Sequence, residues 1–249
     1  MRSKTPSGCS EWETFLGLLC HSPGMRQPWV TVEAVGTPDG ELKLQQRGKD
    51  SVISIAGRVL MSTAHTRSEV VVAQLGCEPI RARRSPRVLV SGLGLGFTLR
   101  AALDVLPRTA EVTVAELNPV VVKWCRGPVA SAAGDTLADP RVRVYEGDVN
   151  DEIRRVANDR RAPRWDAVIL DLYVGPPEPY PRGGDPLYSS HILGATHAAL
   201  SSGGVLSVWG EARSPSYEAR MRQVGLTTRW VRPRGGGPRH VVHLGTKGG

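Results

Sequence analysis

The sequence predicts an α/β fold: a mostly parallel seven-stranded sheet with a C-terminal β-hairpin, preceded by a small antiparallel β-meander. Three observations predict it. Between Trp29 and Met61, apolar and polar residues alternate with the period of half-buried strands. After Pro86, short apolar runs alternate with segments of helical period, the pattern of a parallel sheet whose crossovers are helices. At the end, two further apolar runs flank Gly235-Gly236-Gly237 and read as an antiparallel pair.

In chain order, residues 1–28 form an N-terminal segment with one short helix, opened by a capping box of Ser10 and Glu13. Residues 29–80 form the meander and a helix. Strands at 29–35 and 41–45 flank the turn Thr37-Pro38-Asp39-Gly40, and strands at 51–55 and 58–61 are parted by Ala56-Gly57. The helix spans 67–76, with Val70, Val71, Ala73 and Leu75 on its apolar face and a glycine stop. Residues 81–249 form the main domain, entered through the basic connector 81–86. Its strands are read at 87–90, 111–115, 142–145, 167–170 and 204–209. The fourth of these is nearly all apolar, as a central parallel strand is. Helices are read at 97–106, 119–126, 188–200 and 215–225, and 226–231 with 241–244 make the hairpin.

Composition narrows the class. The chain has 249 residues, 40% of them hydrophobic, enough for one sizeable core. No apolar run approaches the ~18 residues of a membrane span, and the N-terminus lacks the basic lead of a signal peptide. The four cysteines show neither metal-ligand nor disulfide spacing, so free thiols and a cytoplasmic setting are expected, with Cys125 read as packing. Of the six histidines, only His240 and His243 lie close, on opposite sides of a strand, and no metal is expected. The net charge is +8, carried mainly by arginine, which reads as solvated surface or as an anion-binding footprint.

The chemistry-bearing residues fall at strand ends. The first strand of the main domain runs into Gly92-Leu93-Gly94-Leu95-Gly96 and then a helix, a turn that lets a ligand approach the backbone closely. Glu116 ends the second strand, where a carboxylate can accept both ribose hydroxyls. Asp148 follows the third strand, placed to accept from an adenine amino group. Asp171 ends the fourth, at the carboxyl edge where ligands of open α/β sheets sit. The loop lacks the sixth-place glycine of a dinucleotide fingerprint, since that place is Phe97, and it lacks the Gly-Lys-Ser/Thr of a phosphate loop. A Rossmann-like domain of the S-adenosylmethionine-dependent methyltransferase fold, binding a methionine-derived nucleoside at Gly92, Gly94, Gly96, Glu116, Asp148 and Asp171, is therefore expected.

With those residues in place, the chain resembles the spermidine synthase (polyamine aminopropyltransferase) family, in a divergent bacterial branch. The resemblance covers about residues 52–209. The family's G-G-G-D-G loop stands here as Gly92-Leu93-Gly94-Leu95-Gly96, its G-D as Gly147-Asp148, and its D-S-S-D-P loop as Asp171-Leu172-Tyr173-Val174-Gly175-Pro176. It implies that Glu116 holds ribose, Asp148 faces adenine and Asp171 is the general base. It implies S-adenosylmethionine or decarboxylated S-adenosylmethionine as the cofactor, and a small acceptor, plausibly an amine. Two family carboxylates are replaced, by Leu95 and Val174, and each loss bears on polyamine binding.

Three functions are weighed. The first is alkyl transfer of the spermidine synthase type, with Asp171 and Tyr173 catalytic and Asp185 or Glu69 meeting the acceptor. Glu69 also reads as a solvated helix charge. The second is a methyltransferase using S-adenosylmethionine, favoured by Leu95 but without an N-P-P-Y motif after the fourth strand. The third is a basic RNA-binding protein built on the arginines at 81–87, 154–164 and 229–234, though aromatics are sparse for base stacking. Exposed strand edges in the meander are ones a homodimer could cover.

Overall fold

Residues 27–172, 174–178, 186–233 and 240–249 are described by the structure, a computed structural model. The N-terminal capping box, Tyr173, Asp185 and the Gly235 turn lie outside these residues. The meander folds as β1 (Val30–Thr37), β2 (Gly40–Arg47), β3 (Asp50–Ile55) and β4 (Arg58–Ser62), each antiparallel to the next.

The main sheet is the expected one. Its strands are β5 (Arg87–Ser91), β6 (Glu111–Glu116), β7 (Val142–Glu146), β8 (Trp165–Leu170), β9 (Leu200–Gly210), β10 (Leu226–Val231) and β11 (Val241–Lys247), in the order β10-β11-β9-β8-β5-β6-β7. Strands β5 to β9 are mutually parallel, and β11 runs antiparallel to both neighbours. The chain leaves β5 towards β6 on one side and returns as β8 on the other. That reversal opens a crevice at the carboxyl ends of β5 and β8, where open α/β sheets bind ligands.

Strand alternation divides the core. Val88, Val90, Ala167 and Ile169 face α1 (Arg67–Cys77), α2 (Phe97–Val105) and α3 (Pro119–Arg126). Leu89, Val168, Leu170 and Leu206 face α4 (Val149–Asn158), α5 (Ser190–Ala199) and α6 (Pro215–Gln223). Leu42, Leu44, Ile53 and Ile55 of the small sheet join the first of these cores, which fixes that sheet over the carboxyl edge of β5. Helix α4 has no counterpart in the sequence reading. Its Val149, Ile153 and Val156 keep a helical spacing with polar residues on the opposite face, an amphipathic pattern present in the sequence itself. No helix among the described residues is long and apolar enough to cross a membrane.

Several arginines are structural struts. Arg83 donates to Asp166 and to the carbonyl of Ser202 (2.7 Å), while Asp166 also accepts from the Arg87 amide (2.8 Å) and Ser201 Oγ (2.7 Å). Arg141 donates to Asp139 and to the carbonyls of Leu103 and Leu106 at the end of α2. Arg154 and Arg155 pair with Asp151 and Glu152 one helical turn away. We expect Asp166→Ala, which leaves the Arg87 amide without its acceptor and takes the charged partner from Arg83, to cost on the order of 2–3 kcal/mol in urea unfolding. A cost below about 0.5 kcal/mol would show that the connector is held by other contacts.

Candidate functional site

A cavity of about 690 Å³ opens at the carboxyl ends of β5 to β9, with β3 and β4 as its opposite wall. That volume suits a nucleoside-sized ligand with a second small molecule. Gly92, Gly94, Glu116, Asp148 and Asp171 all line it. Gly96 does not; it sits behind the loop as the N-cap of α2, against Thr136.

The loop is tightly determined by its surroundings. Gly92 has φ +83°, and a Cβ there would lie 2.6 Å from the carbonyl oxygen of Asp171. At Gly94, with φ +49°, a Cβ would lie 2.1 Å from Met61 Sδ, because the Met61 side chain crosses the loop from β4. Leu95 is 1% exposed and turns into the hydrophobic core, so the place of the family's loop aspartate faces away from the cavity. Cys125 braces the loop from behind, its thiol donating to the Gly94 carbonyl (3.1 Å). Burial, reinforced by the Glu116 charge, pushes that thiol up to about 12, which leaves it no nucleophilic role.

Glu116 is buried between loop and strand. Its carboxylate accepts from the amides of Leu93 and Asn118, each at 2.9 Å, and the Gly94 and Leu117 amides also donate towards it. Burial raises its pKa, and these donors pull it back. Asp148 is exposed at the rim. It caps α4 by accepting from the Asn150 amide (2.8 Å), and Asn150 Nδ2 approaches its other oxygen (3.4 Å).

The opposite end of the cavity is acidic. Thr98, in the first turn of α2, donates to Asp171 Oδ2. Burial, with the nearby charge of Glu69, pushes the Asp171 carboxyl up to about 7. Glu69 is 8% exposed, lines the cavity and accepts from Ser68 Oγ (2.7 Å), which corrects its reading as a solvated charge. Its place in the first turn of α1, tucked against the main sheet, is the reason. Beyond them lie His65, Trp209 edge-on to His240 (4.9 Å), and the ion pair of Arg58 with Glu211 (2.7 Å). Val174, in the place of the family's second loop aspartate, is 38% exposed, and its carbonyl accepts from Tyr188 Oη. Met61, His65, Thr98 and Trp209 were not legible as site residues. Thr98, two residues past the glycine loop, was the one that spacing could have found.

The fold matches solved spermidine synthases at low sequence identity. The chain is similar to a spermidine synthase in complex with the transition state analogue AdoDATO, with a TM-score of 0.67 and 16% identity over 88% of this chain and 72% of that one. The spermidine synthase of Thermotoga maritima gives 0.65 and 17% over 88% and 73%, respectively. A probable spermidine synthase from Corynebacterium glutamicum gives 0.60 and 18% over 87% and 79%. No protein-family model and no curated protein matches the sequence.

Proposed function

We propose that this chain is a spermidine synthase-like transferase that binds S-adenosylmethionine or its decarboxylated form and transfers an alkyl group, aminopropyl or methyl, to a small amine. The observation that carries this reading is charge segregation. The protein as a whole is at +8, yet among the described residues its cavity wall holds six carboxylates, Asp39, Glu69, Glu116, Asp148, Asp171 and Glu211, against a single arginine, Arg58. A negative cleft in a positive molecule concentrates cations, and both a sulfonium donor and an amine acceptor are cations.

When bound, the donor would supply an electrophilic carbon beside a sulfonium, whose leaving group is a neutral thioether. The residues need then only align and deprotonate. Glu116, a buried carboxylate at the loop end of the cavity, is proposed to hold the ribose. Glu69 attracts the acceptor ammonium, and Asp171 takes a proton from the attacking nitrogen, whose freed lone pair forms the C–N bond as the C–S bond breaks and the neutral thioether leaves. Tyr173 is proposed to assist Asp171 from the same loop.

The reading is tested by calorimetric titration with S-adenosylmethionine, decarboxylated S-adenosylmethionine and methylthioadenosine. Incubation of the decarboxylated donor with putrescine or a monoamine, scored for methylthioadenosine release, accompanies it. Binding in the micromolar range and release of the thioether are expected. Binding of none of the three overturns the reading. If, instead, RNA bound with a steep salt dependence, the arginine surface would become the functional one.

A further inference from the structure

We infer that the amino-terminal edge of the main sheet is a docking surface for a nucleic-acid duplex, gripped by its phosphates without regard to sequence. This surface lies at the opposite end of the strands from the cavity. The inference stands apart from the nucleoside reading and holds or fails without it.

Strands β8, β5 and β6 are neighbours, and three connectors enter them side by side: residues 159–164, 81–86 and 107–110. Together the connectors carry seven arginines and one carboxylate, Asp159. Three of the seven are committed within the fold. Arg81 pairs with Glu78 (3.0 Å), Arg83 pairs with Asp166, and Arg164 donates to the Val156 carbonyl. The other four, Arg84, Arg108, Arg160 and Arg161, are exposed, and their guanidinium groups meet no carboxylate among the described residues.

The connectors that carry these four charges are tied to one another. Thr109 Oγ1 donates to the Arg84 carbonyl (2.6 Å). Arg87, the first residue of β5, donates to the Pro163 carbonyl and pairs with Glu111, the first residue of β6 (3.3 Å). Neighbouring strands lie about 5 Å apart, so the row from β8 to β6 covers about 10 Å. A polyanion with closely spaced charges suits such a row, and a duplex carries one phosphate charge per ~1.7 Å of its axis. Arginine's planar fork matches a phosphate.

Two observations choose the duplex over other polyanions. The connectors hold no aromatic residue, and Trp165 beside them is fully buried, so no ring is offered for the base stacking that single strands use. The exposed large apolar side chains all lie elsewhere, so nothing here would insert into a lipid surface. The acidic cavity does not oppose the docking. β5 has five residues and holds the two edges about 17 Å apart, roughly two Debye lengths at physiological ionic strength.

The test is binding of a short random-sequence DNA duplex to the full chain, read by fluorescence anisotropy across a salt series. Four phosphate contacts predict that the association constant falls with salt at a log–log slope of about −3 to −4. Arg108→Gln with Arg161→Gln is expected to flatten that slope by about two and to weaken binding about tenfold or more at low salt. Arg229→Gln with Arg232→Gln removes the same charge from β10, at the far edge of the sheet. It is expected to change the slope by less than about one half. Thermal unfolding of the three proteins checks that each is folded, and the wild-type slope stands without either variant. A wild-type slope shallower than about −1 overturns the inference. So does an equal loss in the two variants, which would make the attraction a diffuse effect of net charge. Tighter binding of single-stranded than of duplex DNA overturns it as well, as does binding of phosphatidylserine vesicles without binding of the duplex.

Discussion

Asp171→Asn is expected to reduce turnover by about 10²- to 10⁴-fold while leaving nucleoside affinity nearly unchanged, and to make the folded protein more stable at neutral pH. The carboxyl is held by Thr98, buried, and set beside Glu69, so its pKa lies at about 7 rather than near 3.8. A base must be ionised to work. In the free protein kcat/KM therefore rises with pH to a plateau above about 7. A cationic donor and acceptor in the cavity favour the ionised form, so kcat reaches its plateau at a lower pH than kcat/KM does.

The stability sign follows from the same shift. A folded pKa above the unfolded one means that the fold prefers the protonated acid. That contribution is full below about 3.8 and is lost as pH rises towards 7 and beyond. Asparagine stays neutral and can still accept from Thr98, so it retains the contribution, on the order of 4 kcal/mol at pH 8 and little at pH 4. Thermal unfolding of both proteins across this range measures the difference, alongside the pH profile of methylthioadenosine release. A variant keeping more than about a tenth of wild-type turnover would remove Asp171 from the chemistry.

The order of elements was legible because periodicity is a local property. Each strand of the parallel sheet has its apolar run, and Glu116, Asp148 and Asp171, which line the cavity, stand at or just past the end of such runs. Helix α4 was legible by the same rule, since Val149, Ile153, Val156 and Ala157 stand at i, i+4, i+7 and i+8 behind the N-cap Asp148. The glycines were legible for a partly different reason than the one first read. Positive φ was expected, but the close approach at Gly94 is by the protein's own Met61, thirty-three positions earlier and on another sheet. Glu69 was ambiguous because a helix charge is solvated or buried according to what the helix packs on, and α1 packs across β8 and β9. There, Ile169 and Ser207 lie against Gly76, and Ser207 Oγ donates to the Val72 carbonyl. Contacts of that kind join residues distant in sequence, so no window of the sequence contains them.

Glu116→Gln should weaken nucleoside binding by about 100-fold, and the way it does so separates two roles. The carboxylate lines the cavity while the Leu93 and Asn118 amides hold it at 2.9 Å and those of Gly94 and Leu117 donate towards it, so a ribose hydroxyl shares its oxygens with the loop. Glutamine is nearly isosteric, but its NH₂ would face an amide N–H of Leu93 or Asn118, two donors with no acceptor between them. Hydrogen bonds to a charged group are worth roughly 1.5–3 kcal/mol each, so losing ribose contacts alone accounts for a fall of this size. Loosening of the loop would also weaken binding, and affinity alone does not separate the two. A comparison of methylthioadenosine with its 2′-deoxy analogue does. If Glu116 grips the ribose, the wild-type protein prefers the ribonucleoside by about tenfold or more, and Glu116→Gln erases the preference. If Glu116 only braces the loop, both ligands weaken together and the preference survives. The second pattern would leave Glu116 a strut between β6 and the glycine loop, and the ribose site would have to be sought elsewhere on the cavity wall.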